Sequence, residues 1–316
     1  MRSLLSLLLF LPIASFGAVV WIDTDPSVQR GVHEVDDGFA LVQAFHSPEL
    51  QIRGISIVFG NAPLVTALPI GREIVERFGP AGMPVFAGAA GAQELGQETD
   101  ASRALAAALK KERLTILVLG PATNIATVLR NHPELASRID RVIAVAGRRP
   151  GQHFVTGQAK APFRDFNFEM DPEAFQAILD SRVPLVLAPW EVSSKVWLNQ
   201  SDLDRLVAAD AALDWLAKPA ADWLAFWKQA FAVDGFNPFD TLAVAYVLTP
   251  KLLRCERLPA KIETLPDDVV TDRSKPYLLA AKEIKSGHIV QYCFDVQPAF
   301  KQDLMSRLSR KKRSTP

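Results

Sequence analysis

The chain has 316 residues, 49% of them hydrophobic and 22% charged, which is the make-up of a globular protein with a large core in one domain or two. Lys+Arg and Asp+Glu both number 35, so the overall charge gives no reason to expect a nucleic-acid polymer or an anionic membrane as partner.

Residues 1–17 differ in kind from the rest of the chain: Arg2, an apolar leucine-rich run from Leu4 to Ile13, then small residues around Ser15-Phe16-Gly17 ahead of Ala18. This reads as a secretory signal peptide, and its apolar run is too short to span a bilayer. The expectation is an exported protein, periplasmic or secreted, with no membrane span: an α/β domain over residues 18–306 and a basic flexible tail over 307–316. Cys255 and Cys293 have the right compartment for a disulfide, but two cysteines without a motif leave pairing and free buried thiols equally open.

The first element is AVVWIDTDPSVQRGVHEVDDGFALVQAF, residues 18–45, which begins as a β-branched strand and ends as a helix with Phe39, Val42 and Phe45 as its apolar stripe. The period of two puts Asp23 and Asp25 on one face at the strand's carboxyl end, and Asp36 and Asp37 fall where the helix starts. Four carboxylates on one strand–loop–helix unit repel one another unless a cation or shared protons neutralise them. All-oxygen donors suit Ca²⁺ or Mg²⁺ rather than zinc. An EF-hand spacing is present from Asp23 to Glu34, but Val28 stands where that loop needs Gly and a strand precedes it.

Next come a strand in QIRGISIVFGN and a helix from about Pro63 to Phe78. A strand over 114–119 comes after it, then a Gly120-Pro121 turn and a helix opening at Thr123-Asn124. RVIAVAG and VPLVLAPW are further continuous apolar runs, as parallel strands buried on both faces require. The fold class is therefore a doubly wound, mostly parallel α/β sheet of the Rossmann-like type. Residues 201–233 are helical, with Trp215, Trp223, Phe226, Trp227 and Phe231 forming either a core seam or a base-stacking lid. Asp240 lies near the amino end of a helix in NPFDTLAVAYVLTP, where capping alone would explain it. AKIETL and HIVQYCFDV read as strands, antiparallel at an edge, with a closing helix after them.

Taken together, DTDP, VDDGFAL, IVFGN, GPATNIA, DFNFEMDPEA and FDTLAVAYVL, in that order from about Val19 onward, resemble the inosine–uridine preferring nucleoside hydrolases. The resemblance implies that family's α/β sheet with Ca²⁺ at the strand ends and hydrolysis of the N-glycosidic bond of a small-molecule riboside. It implies Asp25, Asp37 and Asp240 as metal ligands with the Thr123 carbonyl, and Asp25 as acceptor of the attacking water's proton. It implies Asp36 and Asn61 facing the ribose or that water, and Asp165 and Asn167 in ribose binding. A homo-oligomer is common in the family, although no stretch identifies an interface.

The departures fall on the aglycone side. Phe239 stands where the family has a His beside the last ligand, Asp165 replaces a ribose-binding Glu, and Ala159 replaces an Asn. The loop PSVQRGVHEVDD is longer than the family's and either brings His33 or Glu34 into the site, narrows the pocket, or is a solvated insertion. Two other readings remain: a calcium-dependent riboside binder without turnover, and a haloacid-dehalogenase-like phosphatase using Asp23, Asp25 and Asp267-Asp268.

Overall fold

The computed structural model describes residues 17–160 and 162–311; the leader expected over residues 1–17 lies, but for Gly17, outside them. Strand β1 (Ala18–Thr24) leads into helix α1 (Asp36–Phe45), then β2 (Leu50–Ile57), α2 (Leu64–Phe78), β3 (Val85–Ala87) and α3 (Asp100–Lys111). The alternation continues through β4 (Leu114–Val118), α4 (Thr123–Asn131), β5 (Ile139–Ala144), the short α5 (Phe166–Met170), α6 (Pro172–Asp180) and β6 (Leu185–Leu187). Four helices come next, α7 (Trp190–Ser193), α8 (Gln200–Ala209), α9 (Asp214–Phe231) and α10 (Thr241–Leu248). The chain then makes β7 (Leu253–Pro266), β8 (Ser274–Ala280), β9 (His288–Val296) and α11 (Phe300–Leu308).

Among the described residues, nine strands form one sheet in the order β3-β2-β1-β4-β5-β6-β9-β7-β8. The run from β3 to β9 is parallel, and β7 pairs antiparallel with both β9 and β8. The doubly wound architecture and the antiparallel edge are as the sequence implies. The order reverses between β1 and β4, and in such sheets ligands bind outside the carboxyl ends of the strands at that switch point.

Burial on both faces explains the continuous apolar strands. In β4, Ile116 and Val118 pack with Ile125, Phe175 and Ile178 under α4 and α6. Leu117 faces the opposite layer with Ile22, Phe39, Leu216 and Phe300. The run VPLVLAPW gives a strand of only three residues because Pro184 and Pro189 flank it and have no N–H to offer a ladder. The helical stretch 201–233 is two helices, since the Asp210 side chain accepts from the Ala212 N–H at 3.0 Å and starts a new turn. Cys255 and Cys293 are register partners across β7 and β9 and are joined by a disulfide spanning 38 residues.

Candidate active site

The carboxyl ends of β1, β2, β4 and β5 meet at the switch point, and the acidic residues gather there. Asp25 lies one residue past β1, so close to its neighbours that a Cβ on Gly60 would stand 1.9 Å from Oδ2 and one on Gly120 2.5 Å from Oδ1. These two glycines exist for that approach. The Asn61 N–H donates to Asp25 Oδ2 at 2.7 Å, while buried Oδ1 has no partner. Asp37 opens the first turn of α1. It accepts from the Thr24 hydroxyl, from the Asp25 N–H at 3.1 Å and from the Asn61 side-chain amide at 3.4 Å.

Asp36, Asp37 and Asp240 each bring a carboxylate oxygen to within 4.8 Å of the others, and all three are buried. Asp240 holds the N-cap position of α10 but makes no capping bond, unlike Asp171 of α6, which accepts from the Ala174 N–H at 3.0 Å. Asp is among the best capping residues, so an Asp that declines to cap is doing something else. Asp165, N-cap of α5, likewise leaves its helix uncapped; its Oδ2 accepts from the Gly147 N–H at 2.8 Å. Asn167 donates its amide to the carbonyls of Leu119 and Val145, leaving Oδ1 as its remaining acceptor. Thr123 is the first residue of α4, and its hydroxyl donates to Asp171 at 2.6 Å.

Crowding shows in the proton affinities. Burial, then the charge of Asp37, holds Asp25 well above the usual carboxylate range. Burial followed by the charges of Glu34 and Asp37 does the same to Asp36, and burial followed by Asp36 and Asp37 does so to Asp240. Burial pushes Asp37 up to about 6, against the bonds it accepts from Thr24 and the Asp25 N–H. Asp165 is likewise pushed to about 6 by burial, opposed by Arg148. Asp23 is different. Its Oδ1 is taken by the Ser56 hydroxyl and the Asn124 amide, and Ser56 in turn accepts from Trp21, so Asp23 ties β1 to β2 and α4.

Five of the expected residues, Asp36, Asn61, Asp165, Asn167 and Asp240, line one cavity of about 400 Å³ with Glu34. Asp25 and Asp37 sit behind it, in contact through Asn61. The set fits a hard divalent cation: the donors are oxygens, one of them orphaned in a glycine cradle, and burial leaves the charges without water. The acidic pair that the phosphatase reading needed is committed elsewhere, with Asp267 bonded to Arg273 and Asp268 to Arg148 and Lys275.

The loop before α1 is neither a free insertion nor a simple turn. Arg30 pairs with Asp222 of α9, whose carboxylate also accepts from the Gly31 N–H at 2.8 Å. The Ser27 hydroxyl bonds the Glu34 carbonyl at 2.9 Å, and Val28 is buried against Leu216 in the core. Glu34 thereby reaches the cavity, where burial and the charge of Asp37 push it up to about 7. His33 is not among the residues lining the cavity.

The rest of the lining is aromatic, and only part of it was foreseeable. Trp223, Phe226, Trp227 and Phe231 of α9 face the cavity. Leu216, Ala220 and Leu224 of the same helix face the core, and Trp227 belongs to both stripes. Two adjacent apolar stripes on one helix are the signal that separates a lid from a seam. Phe154, from a loop, and Trp190, the first residue of the four-residue α7, stack 5.2 Å apart and add a wall from segments too short to show a periodic pattern.

The family model for the inosine-uridine preferring nucleoside hydrolases matches residues 20–298. The chain is 24% identical over 275 residues to an uncharacterised protein of Schizosaccharomyces pombe, C1683.06c, covering 77% of this chain and 84% of that one. It is 26% identical over 279 residues to the pyrimidine-specific ribonucleoside hydrolase RihA of Salmonella enteritidis, covering 77% and 83%. Among solved structures it resembles the plant nucleoside hydrolase PpNRh1, with a TM-score of 0.75 at 20% identity over 92% of this chain and 98% of that chain. The purine-preferring ribonucleoside hydrolase from Gardnerella vaginalis gives 0.73 at 20% identity, with coverage of 92% and 98%. At these identities the structural likeness is one of fold.

Proposed function

Because the chain belongs to the inosine–uridine preferring nucleoside hydrolase family, whose members cleave the N-ribosyl bond of nucleosides, we propose that it is a calcium-dependent hydrolase of a small riboside, releasing ribose and the free aglycone. The observation that carries the metal reading is the convergence of Asp36, Asp37 and Asp240 beside the unpartnered Oδ1 of Asp25. Asp25, Asp37, Asp240 and the Thr123 carbonyl are the proposed ligands, with Asp36 close enough to join them. Several carboxylates around one point favour calcium, which accepts many oxygens, over magnesium, which keeps its waters.

When bound, the ion supplies positive charge against which the ribose hydroxyls and the attacking water are ordered. The chain's own residues do the rest. Asp25, fixed by Asn61 through one oxygen, offers the other to the proton leaving the water. Asp36 and Asn61 face the sugar and oppose the positive charge that grows on it as the C1′–N bond lengthens. Asp165 and the free oxygen of Asn167 accept from ribose hydroxyls, and the aromatic wall keeps bulk water away from the aglycone.

Export belongs to the same proposal. The residue 1–17 leader argues for it, and a disulfide between β7 and β9 suits an oxidising compartment. The test is ribose release from a panel of ribosides, with calcium and then with excess chelator. Release that stops on chelation and returns with calcium supports the reading; release indifferent to chelator removes the metal from it.

A further inference from the structure

Asp165, a proposed ribose ligand, is supported from the far edge of the sheet. Its Oδ2 accepts from the Gly147 N–H at 2.8 Å, and its own N–H donates to Glu169 Oε1 at 3.1 Å. That leaves Oδ1 for a sugar hydroxyl. Glu169 lies four residues on, in α5, and folds back over the start of a helix that has no capping side chain. Its Oε1 also accepts from the Lys275 ammonium at 2.7 Å, and its Oε2 accepts from Arg164 at 3.1 Å.

Lys275 belongs to β8, the outermost strand on that side. It is buried, and it reaches Asp268 at 2.9 Å and Asp267 at 3.4 Å as well as Glu169. Arg148, also buried, donates to Asp268 at 2.6 Å and lies over the rings of Phe154 and Tyr277. Its backbone N–H donates to the Leu278 carbonyl and its carbonyl accepts from the Ala280 N–H, so β8 also sets the neighbouring Gly147. Two paths thus run from β8 to Asp165, one through Arg148 and Gly147 and one through Lys275 and Glu169. Buried ion pairs rarely stabilise a fold more than apolar residues of the same shape, so a network of this size behind a cavity wall calls for another role. Burial raises the Asp165 carboxyl to about 6, and the charges of Arg148 and Lys275 oppose that rise. Neither they nor Glu169 line the cavity.

Resting on the hydrolase reading, we infer that Glu169 and Lys275 are positioning residues of the ribose site: their ion pair carries the hold of the β7–β8 hairpin to the Asp165 N–H and fixes the free oxygen of that carboxylate against one hydroxyl of the sugar. Neither side chain touches substrate. A misplacement of about 1 Å in a group that positions substrate costs up to about 100-fold in rate. The contact at stake is to a single hydroxyl, so the cost is confined to substrates that carry it.

The calcium-loaded protein is assayed on 4-nitrophenyl β-ribofuranoside and on its 2-, 3- and 5-deoxy forms. Asp165→Ala identifies the hydroxyl: kcat/KM is expected to fall on every form except the one that lacks it. Glu169→Ala is expected to lower kcat/KM for the full riboside about 10- to 100-fold, and for that one deoxy form less than about twofold. Lys275→Met is expected to give the same pattern with a loss of about tenfold. Glu169→Gln keeps the shape and an acceptor for the Asp165 N–H but not the charge, so the same pattern with a loss of about fivefold is expected; it carries the test if Glu169→Ala does not fold. Losses equal on the full and deoxy forms would mean that the pair only holds the fold, and overturn the positioning role. Undiminished turnover in the Glu169 and Lys275 variants, or an Asp165→Ala loss that spares no form, overturns it too and leaves the hydrolase standing. Nitrophenyl riboside left intact by the folded, calcium-loaded parent removes the hydrolase reading, and the assignment falls with it.

Discussion

The backbone N–H of Asn61 holds one oxygen of Asp25 at 2.7 Å and leaves the other with no partner in the buried interior. A strand end from β2 thus orients a carboxylate on β1 without satisfying it. Asp25→Asn removes a buried charge that its neighbours repel, so the calcium-free protein is expected to gain a few degrees in Tm. Turnover is expected to fall by roughly 100-fold or more with the proton acceptor gone. Calorimetry with a parallel ribose-release assay checks both, and unchanged turnover would remove Asp25 as the acceptor.

The same cradle makes Gly120 intolerant of a side chain. A methyl there would stand 2.5 Å from Asp25 Oδ1, so Gly120→Ala must displace the carboxylate. Calcium affinity measured by isothermal titration is expected to drop at least about tenfold, the scale on which misplaced supporting groups weaken metal sites.

Stability without calcium should depend on pH in the direction opposite to ordinary acid denaturation. Asp37 rises to about 6 and Glu34 and Asp23 to about 7 in the folded state, above the carboxylate values of the unfolded chain near 4. The folded state therefore binds more protons between those values, and stability falls as pH rises through them. A single carboxyl raised by about two units costs on the order of 3 kcal/mol above pH 7. Chelated protein is expected to melt at a lower temperature at pH 7.5 than at pH 5, and saturating calcium to reverse the order. A Tm that climbs with pH in chelator contradicts the buried cluster.

The loop over residues 27–35 is held to α9 through Arg30 and Asp222, an exposed pair that adds little to global stability. Asp222→Ala is expected to leave Tm nearly unchanged while trypsin cuts after Arg30 several-fold faster. Equal cutting rates would mean the loop is held by Val28 and Ser27 alone.

Reduction of Cys255–Cys293, or a Cys293→Ser/Cys255→Ser double variant, opens a loop of 38 residues. Chain-entropy arguments give a loss of about 3–5 kcal/mol. A lower urea midpoint, with a slope steeper than that of the oxidised protein because the denatured chain expands, is the expected result.

What the sequence disclosed and what it concealed divide along a physical line. Asp23, Asp25, Asp36 and Asp37 could be placed because strand period and helix start are local properties. Asp240 could not be separated from a capping residue, since the same side chain at the same helix position serves either end. Only its unmade bond distinguishes them. The aromatic stripe of α9 was visible, yet whether it faced core or cavity depends on what α9 packs against. Phe154 comes from an irregular segment and Trp190 from a helix of four residues, too short to carry a period. The cysteines gave no hint of pairing because their opposition is set by the register of β7 on β9, a long-range fact. Glu34 reached the cavity through a loop whose course depends on Asp222, far along the chain.

Strand β9 has a consequence for how the molecule is assembled. It is the last strand to be synthesised, yet β7 and β8 touch the parallel sheet only through it. Until residues 288–296 arrive, the edge of β7 that β9 covers stays open, a delay that exposes it to wrong partners. Arg148 shares backbone bonds with Leu278 and Ala280 of β8, and its guanidinium lies 4.0 Å from the ring centre of Phe154 in the cavity wall. A chain interrupted before His288 would lose β9 and with it the strand that joins β7 and β8 to the parallel sheet. The cavity is lined entirely by residues up to Asp240, yet Arg148, which braces Phe154, finds its backbone partners only once β8 has been made.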